Sequence, residues 1–362
     1  PFLEAARMMK AQNPSDVFLI LVSYLPTPKL LGEQKSKPTQ HAITDLHSVG
    51  LNPDFVICRS DQPAAPDIKR TISNVCSLPI ERIISAPDVY SIYDVPVDFE
   101  KDNLGVTLLK VMGLSPRNRD LIEWVNLGNK IPKIKKEVRI GVVGKYFNFK
   151  SVKDTYISVI ESIHHAAWAQ NLKPDILWLD SEKYEKNSKL LSELDKLDGI
   201  IVPGGFGARG VEGMILAAGY ARRKKIPYFG LCYGMQLMVI EYARNVLGMK
   251  DAHTSEINPN AKNLVIDIMP EQKKNLKEKN YGATMRLGAY PAVIKTNTIA
   301  RKAYQNSSFA VKNQKTRKSL GLISKDLLIS ERHRHRFEVN PRYIEILEKK
   351  GLVFSGFSPD RH

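Results

Sequence analysis

Short apolar segments alternate with amphipathic segments along most of the chain. The apolar runs have the length of buried parallel strands, and the segments between them repeat their apolar positions at helical spacing. In the first part of the chain the strands are predicted at 16–23, 55–58 and 82–85, and the helices at 39–47, 67–76, 104–112 and 120–125. This alternation predicts an α/β fold with a mostly parallel sheet.

The alternation stops around residues 126–137. Gly128, Pro132 and four lysines stand close together in this stretch, as is typical of an exposed linker. We therefore predict a first domain at 1–126, a linker at 127–137 and a second domain at 138–362.

The second domain resumes the strand and helix pattern. Its strands are predicted at 138–144, 176–179, 199–203 and 227–231, and its helices at 152–167, 188–197, 213–224 and 234–247. Such repeats predict a parallel sheet covered by helices on both faces, with ligands at the carboxyl ends of the strands. The pattern weakens after Asp251, and residues 306–330 are predicted to be a basic loop or insertion.

Composition narrows the class of protein. The chain has 362 residues, of which 43% are hydrophobic and 25% charged, as in soluble globular proteins. No apolar run approaches the roughly 20 residues of a membrane-spanning helix, so no membrane association is expected. Its three cysteines are too few and too scattered for a disulfide framework or a zinc site, which indicates a reducing, cytoplasmic compartment.

The positive charge is concentrated in one part of the chain. The formal net charge is +16, but residues 1–137 contribute only +1, whereas residues 262–336 hold 17 basic and 5 acidic side chains. A basic surface of this kind binds nucleotides, nucleic acid or an acidic partner, or is only solvated. No nucleic-acid motif with interleaved aromatic residues accompanies it, so we expect no nucleic acid as a partner.

The sharpest candidate site is the segment 227–236. Its apolar strand leads directly into Cys232, a helix follows at once, and Gly230 and Gly234 flank the cysteine. This arrangement is typical of a nucleophile elbow, and the helix N-terminus is expected to lower the pKa of the thiol. A free cysteine is otherwise commonly a buried apolar residue, which is the interpretation we favour for Cys58 and Cys76.

A glycine-rich loop follows an earlier strand of the same predicted sheet. Residues 203–210 read Pro-Gly-Gly-Phe-Gly-Ala-Arg-Gly, and successive glycines let backbone N–H groups approach a ligand. Alone, the segment would be only a glycine-rich turn. Beside the elbow, its N–H groups and that of Tyr233 are predicted to form an oxyanion hole.

These two segments resemble the triad-bearing, class I glutamine amidotransferases. Further segments are similar to signatures of one such family, the CTP synthases, at 33–41, 56–61, 210–214, 284–288 and 331–340. The matches follow the family's order over nearly the whole chain, which is therefore identified as a member. The resemblance implies an incomplete P-loop-type synthetase domain followed by a flavodoxin-like amidotransferase domain.

The resemblance also implies a reaction and a role for each matching residue. CTP synthases phosphorylate UTP with ATP and Mg²⁺, displace the phosphate with ammonia from glutamine, are activated by GTP and associate as homotetramers. The implied roles are Cys232 as nucleophile, Gly205 and Tyr233 as oxyanion donors, Gln236, Glu256 and Arg336 as glutamine-binding residues, Lys35, Lys37 and Gln40 as UTP- or CTP-binding residues, and Phe206, Arg209, Glu212 and Arg286 as GTP or lid residues. No metal ligand is expected among the residues of this chain, and His333 and His335 are interpreted as structural or surface residues.

Three departures from the family pattern change the activity that we expect of this chain. The glycine-rich phosphate loop and the magnesium-binding acidic residues are absent, and the His-Pro-Glu segment that completes the triad is absent too. We therefore expect a fragment that is not competent alone. Thr71 also stands where the family has a nucleotide-contacting lysine, so either Lys69 or Arg70 replaces it or the contact is missing.

Two other functions remain open from the sequence. The chain could be a different class I amidotransferase, although the segment 33–41 argues against this. It could also be a non-catalytic regulatory or assembly protein derived from a synthase.

Overall fold

The computed structural model describes residues 1–28, 32–116, 118–145, 155–269, 286–307, 310–311, 320 and 326–359. The chain divides into two compact units, residues 1–135 and 136–362. None of the helices within the described ranges combines the length and the apolar character that a membrane crossing requires.

The first unit is built on a parallel sheet in the order β1-β2-β3. Its strands are β1 (Ile20–Tyr24), β2 (Phe55–Ser60) and β3 (Ile83–Pro87), and its helices are α1 (Phe2–Gln12), α2 (Lys37–Ser48), α3 (Pro66–Cys76), α4 (Val95–Lys101), α5 (Leu104–Val111) and α6 (Ile122–Lys130). Successive residues of β2 point to opposite faces, so Val56 and Cys58 join a core with α2 and α3, while Phe55 and Ile57 join a core with α4 and α5.

The start of β1 differs from the prediction, which placed it at residue 16. Strand pairing begins only at Ile20, opposite Phe55. The Asp54 carboxylate accepts the backbone N–H of Leu19 at 2.7 Å and the Lys10 ammonium at 2.6 Å. The Leu19 carbonyl accepts the backbone N–H groups of Asp54 at 2.7 Å and of Phe55 at 3.3 Å, so contact with the start of β2 reaches Leu19, and regular strand pairing begins one residue later.

The segment around residue 126 is helical. Helix α6 runs through this position to Lys130, and a 3-10 turn at Ile131–Lys133 follows, in which Ile131 is buried. Pro132, Lys133, Lys135 and Lys136 are nevertheless exposed. The division of domains at 126 stays a prediction, while the two compact units separate between residues 135 and 136.

The second unit contains a four-stranded parallel sheet in the order β5-β4-β6-β7. Its strands are β4 (Glu137–Gly144), β5 (Lys173–Asp180), β6 (Gly199–Val202) and β7 (Tyr228–Gly230), and its helices are α7 (Ile157–Ala169), α8 (Ser181–Lys186), α9 (Val211–Lys224) and α10 (Tyr233–Asn245). The order reverses at β4, as in flavodoxin-like folds, which confirms the predicted α/β class. Residues 188–196 are 3-10 turns instead of the predicted α-helix.

Beyond residue 251 the architecture changes to small, mostly antiparallel sheets. The strands are β8 (Ala252–Thr254), β9 (Asn263–Ile268), β10 (Arg286–Ile294), β11 (Leu327–His335), β12 (Phe337–Val339) and β13 (Gly356–Phe357), with helices α11 (Ile299–Tyr304) and α12 (Ile344–Lys349). Strands β10 and β11 pair over nine residues, from Arg286 opposite His335 to Ile294 opposite Leu327. The predicted loop 306–330 therefore ends in a strand, and most of its remainder lies outside the described residues.

Candidate active site

Cys232 stands in a sharp turn between β7 and α10. Its backbone has φ 49° and ψ −99°, a conformation that a side chain with a Cβ rarely adopts. Such strain is typical of nucleophile elbows, because the turn lifts the reactive atom clear of the sheet. The side chain is exposed, whereas Cys58 and Cys76 are buried.

The two flanking glycines are required by close backbone packing. A Cβ atom at Gly230 would lie 2.4 Å from the backbone nitrogen of Met235, and one at Gly234 would lie 2.1 Å from the carbonyl oxygen of Val202. No side chain fits at either position without moving backbone. The glycine spacing read from the sequence therefore has a steric cause in the strand-to-helix turn.

The electrostatic setting of the thiol differs from the expectation. Desolvation by the surrounding residues raises the pKa of Cys232, and the negative charge of Glu256 raises it further. The backbone N–H of Tyr233 bonds to the thiol and lowers the pKa, as the helix N-terminus predicts, but this effect is smaller. The predicted net lowering is therefore wrong for this structure.

Residues 203–210, called here the glycine loop, lie directly beside the elbow. A Cβ at Gly204 would be 3.7 Å from the Cβ of Cys232, and one at Gly205 would be 3.6 Å from Cδ1 of Tyr233. The loop follows β6, and the elbow follows its neighbour β7. Gly205, Cys232 and Tyr233 are therefore brought together at the carboxyl edge of the sheet.

The peptide groups of Gly207 are held by three side chains. Glu256 accepts the Gly207 N–H at 2.9 Å, and the Tyr233 hydroxyl donates to the Gly207 carbonyl at 2.8 Å. The Lys145 ammonium donates to the same carbonyl at 3.4 Å and also to the carbonyl of Phe206. Lys145 was missed by the sequence analysis, although its place directly after a buried parallel strand could have indicated it.

Two predicted glutamine-binding residues lie close to the same elements. The buried Gln236 donates from Nε2 to the carbonyl of Phe337 at 3.0 Å, so α10 contacts the chain next to Arg336. The Arg336 carbonyl accepts from the Met269 N–H at 3.1 Å. The thiol of Cys232 donates to the carbonyl of Arg334 at 3.9 Å, which places the end of β11 over the elbow.

The residues predicted to bind GTP or to form the lid differ in exposure and in ion-pair partners. Phe206 is 78% exposed, Arg209 pairs with Glu182 at 2.5 Å, and Glu212 pairs with Arg244 at 2.7 Å. Arg286 begins β10, and its side chain lies outside the described part of the structure.

The two histidines of β11 each bond to the backbone two residues away, His333 within β11 and His335 to the start of β12. Nδ1 of His333 lies 2.9 Å from the Glu331 carbonyl, and Nδ1 of His335 lies 3.1 Å from the Phe337 carbonyl. These local bonds agree with a structural role.

The candidate nucleotide segment belongs to the first unit. Lys35 is half-buried and pairs with Glu33 at 3.0 Å, Lys37 is exposed in the first turn of α2, and Gln40 donates to Ser36 at 2.9 Å. The segment is anchored by the buried Thr39, which bonds to Ser23 at the end of β1. The three predicted residues therefore surround a helix N-terminus at the carboxyl edge of a parallel sheet, where anions are commonly bound.

Lys69 and Arg70, the two candidate replacements for the nucleotide-contacting lysine of the family, have different surroundings. Lys69 is mostly buried and bonds to Asp102 at 2.7 Å, while Asp102 also accepts the Ser85 N–H at 2.6 Å. Lys69 is thus held within the first unit. Arg70 is exposed and is the better candidate for an anion contact.

No three His, Cys, Asp or Glu side chains of the described ranges are placed to hold a metal ion together.

Comparison with known proteins covers both units. Residues 1–114 match the family described as CTP synthase N-terminus, and residues 151–362 match glutamine amidotransferase class-I. CTP synthases of Thermococcus gammatolerans and Pyrococcus abyssi are 44% and 45% identical over 361 residues, which is 99% of this chain and 62% of each relative. The CTP synthase of Listeria innocua is 40% identical over 362 residues. The chain thus spans about 62% of the length of the first two relatives.

A solved structure supports the fold of the second unit. The glutaminase domain of the Trypanosoma brucei enzyme, with bound acivicin, is 38% identical and superposes with a TM-score of 0.51. The match covers 61% of this chain and 75% of that structure.

Proposed function

The chain belongs to the CTP synthase family and carries a class-I glutamine amidotransferase domain, and on that premise we propose that it serves the conversion of UTP to CTP with ammonia from glutamine. The observation that carries the proposal is the position of Cys232 at a strained elbow beside the glycine loop. In that geometry the Cys232 sulfur can attack a carbonyl carbon while backbone N–H groups donate hydrogen bonds to the carbonyl oxygen.

The proposed chemistry of the second unit is thioester formation. The Cys232 sulfur attacks the side-chain amide carbon of glutamine, and the carbon–nitrogen bond breaks. The leaving nitrogen departs as ammonia with the thiol proton, and water then releases glutamate. The N–H groups of Gly205 and Tyr233 would stabilise the oxyanion, which is worth about 3–4 kcal/mol for one donor in other enzymes.

The substrate's two charged ends need opposite partners. Arg336 can clamp the α-carboxylate through two parallel hydrogen bonds, and Glu256 can accept from the α-ammonium. Gln236 is buried on α10 and donates to the carbonyl of Phe337, the residue after Arg336. We propose that this bond supports the position of the arginine.

The first unit would bind the nitrogen acceptor. Lys37 in the first turn of α2, with Lys35 and Gln40 nearby, supplies cations and donors suited to the triphosphate of UTP or of CTP as an inhibitor. In the whole family, ATP and Mg²⁺ supply the phosphorylation of UTP. No step of that phosphorylation is assigned to the residues of this chain.

Family membership motivates four further proposals. Activation by GTP is proposed to involve Phe206, Arg209, Glu212 and Arg286. A C–N ligase activity, a homotetrameric assembly and a cytoplasmic location are proposed for the protein in which this chain functions.

The proposal is tested by labelling Cys232 with the glutamine analogue acivicin. Mass spectrometry should find one adduct, on Cys232, and L-glutamine should slow its formation at least fivefold while D-glutamine does not. Cys232→Ser should abolish the adduct, and Cys58→Ser should not change it. Labelling that ignores L-glutamine, or that falls on another cysteine, would refute the glutamine site.

The acceptor half of the proposal is tested by calorimetry. UTP and CTP should bind the chain, and Lys37→Met should weaken both at least tenfold because a charge–phosphate contact is lost. Lys133→Met, a change at another exposed lysine of the first unit, is the matched control. Equal affinities of the two variants would refute the assignment of the 35–40 segment.

A further inference from the structure

Lys145 is a buried lysine at the carboxyl end of a central strand in the second unit. It directly follows β4, the strand at which the sheet order reverses, and ligands of doubly wound sheets bind at that point. The residue is only 8% exposed. Burying an ammonium costs free energy unless acceptors satisfy its three donors. The groups around Lys145 therefore indicate what the lysine does.

The glycine loop is wrapped along this side chain. A Cβ at Gly210 would lie 3.5 Å from the Cβ of Lys145, one at Gly205 would lie 4.0 Å from Cε, and one at Gly207 would lie 3.9 Å from Nζ. Three glycines thus follow the lysine from its base to its tip. Their missing side chains let the backbone of the loop approach the lysine closely.

The ammonium binds the loop at the residues next to the candidate oxyanion donor. It donates to the carbonyls of Phe206 and Gly207 and lies 5.8 Å from the ring centroids of Phe206 and Tyr233, within cation–π range. Gly207 has φ +76°, a conformation that most side chains disfavour. The lysine joins two successive carbonyls of this turn through one ammonium group.

Two other residues complete the support. The Tyr233 hydroxyl donates to the Gly207 carbonyl, and Glu256 accepts the Gly207 N–H from the other side. The three side chains come from the end of β4, from α10 and from the segment after β8. Their convergence fixes the loop relative to the elbow, because Tyr233 directly follows Cys232.

We propose that Lys145 is a positioning residue, which holds residues 204–207 so that the Gly205 N–H faces the oxygen of the substrate carbonyl. This rests on the proposed glutamine chemistry and deepens it. Lys145 itself touches the loop and not the reacting atoms. Burial lowers the pKa of Lys145, and the nearby Glu256 opposes that effect, which favours the charged form that the carbonyls need.

The test compares two reactions of Cys232 that differ in their need for an oxyanion hole. The open-chain form of L-glutamate γ-semialdehyde, whose concentration is taken from its equilibrium with the cyclic imine that it forms by loss of water, adds reversibly to the thiol. The sulfur–carbon bond forms, and the aldehyde oxygen takes the thiol proton and occupies the oxyanion position. Iodoacetamide alkylates the same sulfur with loss of iodide, and this reaction forms no oxyanion. Lys145→Met should raise the Kd of the aldehyde at least tenfold while the alkylation rate changes less than twofold.

Matched variants separate positioning from general damage. Lys145→Arg should recover part of the affinity for the aldehyde, since a guanidinium can still donate to both carbonyls. Lys196→Met, at an exposed lysine of the same unit, should leave both reactions unchanged. Equal losses in the two reactions, or no loss in either, would overturn the proposal.

Hydrogen exchange gives a readout that needs no chemistry. The backbone amides of residues 204–207 should exchange at least fivefold faster in Lys145→Met than in the unchanged chain, and unchanged exchange would overturn the proposal. If the unchanged chain does not bind the aldehyde, the proposed function fails, while exchange still tests the lysine. If Lys145→Met does not fold, Tyr233→Phe removes the second donor to Gly207 and should weaken only the aldehyde reaction.

Discussion

Cys232 shows how one residue depends on charges from distant parts of the chain. Its thiol receives a hydrogen bond from the Tyr233 N–H, which favours the thiolate, while desolvation and the Glu256 carboxylate favour the neutral thiol. The thiolate is the nucleophile. The net effect on Cys232 is a raised pKa, and the Glu256 carboxylate that contributes to it lies 24 residues further along the chain.

The first prediction concerns Glu256→Gln. Glutamine keeps an acceptor for the Gly207 N–H but removes the negative charge, so the pKa of Cys232 should fall and more thiolate should exist at any pH below that pKa. Alkylation by iodoacetamide at pH about 7.5 should become severalfold faster, and the midpoint of its pH–rate profile should move to lower pH. Glu345→Gln, an exposed change on α12, is the control, and a midpoint that rises or stays would contradict the prediction.

At the scale of elements, the site is made by three strand ends. β4 supplies Lys145, β6 leads into the glycine loop, and β7 leads into the elbow, and these strands are neighbours in the sheet. The end of β11 then covers the elbow through the carbonyl of Arg334. The elements are fixed to one another by close backbone contacts, above all at Gly234.

The second prediction concerns Gly234→Ala, which tests this packing. The new Cβ would meet the Val202 carbonyl at 2.1 Å, so α10 must shift away from β6. The free energy of unfolding should fall by roughly 3 kcal/mol, the upper end of overpacking costs, and iodoacetamide should react at a changed rate because the elbow is displaced.

A matched glycine provides the control for this change. Gly199→Ala places its Cβ 3.4 Å from Cδ1 of Ile140, a side-chain tip that can move, and should cost less than about 1 kcal/mol. Urea-induced unfolding measures both variants. Equal stability of the two would contradict the steric account of the elbow.

At the scale of the whole molecule, the three cysteines divide between the two units. Cys58 and Cys76 lie in the core of the first unit beside β2 and α3, and burial raises the pKa of Cys58 to about 12. Cys232 is exposed at the elbow of the second unit. All three lie within the described residues, so their reactivities report on separate parts of the molecule.

The third prediction is a count of reactive thiols. The native chain should react with a disulfide reagent at one thiol in the fast phase, and at all three in concentrated guanidinium chloride. Cys232→Ala should remove the fast phase entirely. A second fast thiol in the native chain would show that the first unit opens readily, in conflict with the burial of its two cysteines.

Much of this organisation was accessible from the sequence. The alternating strands and helices of both units, the elbow around Cys232 and the neighbouring glycine loop follow from local periodicity and glycine spacing, because buried parallel strands and tight turns impose strict residue requirements. The small antiparallel sheets after residue 251 were not predicted. Their pairing, such as β10 with β11 across a long connection, depends on contacts between distant residues.

The sequence by itself determined the α/β class, the elbow around Cys232 and the family resemblance, since each is encoded in neighbouring residues. Only the tertiary structure decided which way the pKa of Cys232 moves, that Lys69 is bound by Asp102 and that Lys145 supports the glycine loop. The physical reason is the same in all three cases. Desolvation, ion pairing and backbone support are set by groups that are remote along the chain and adjacent only after folding.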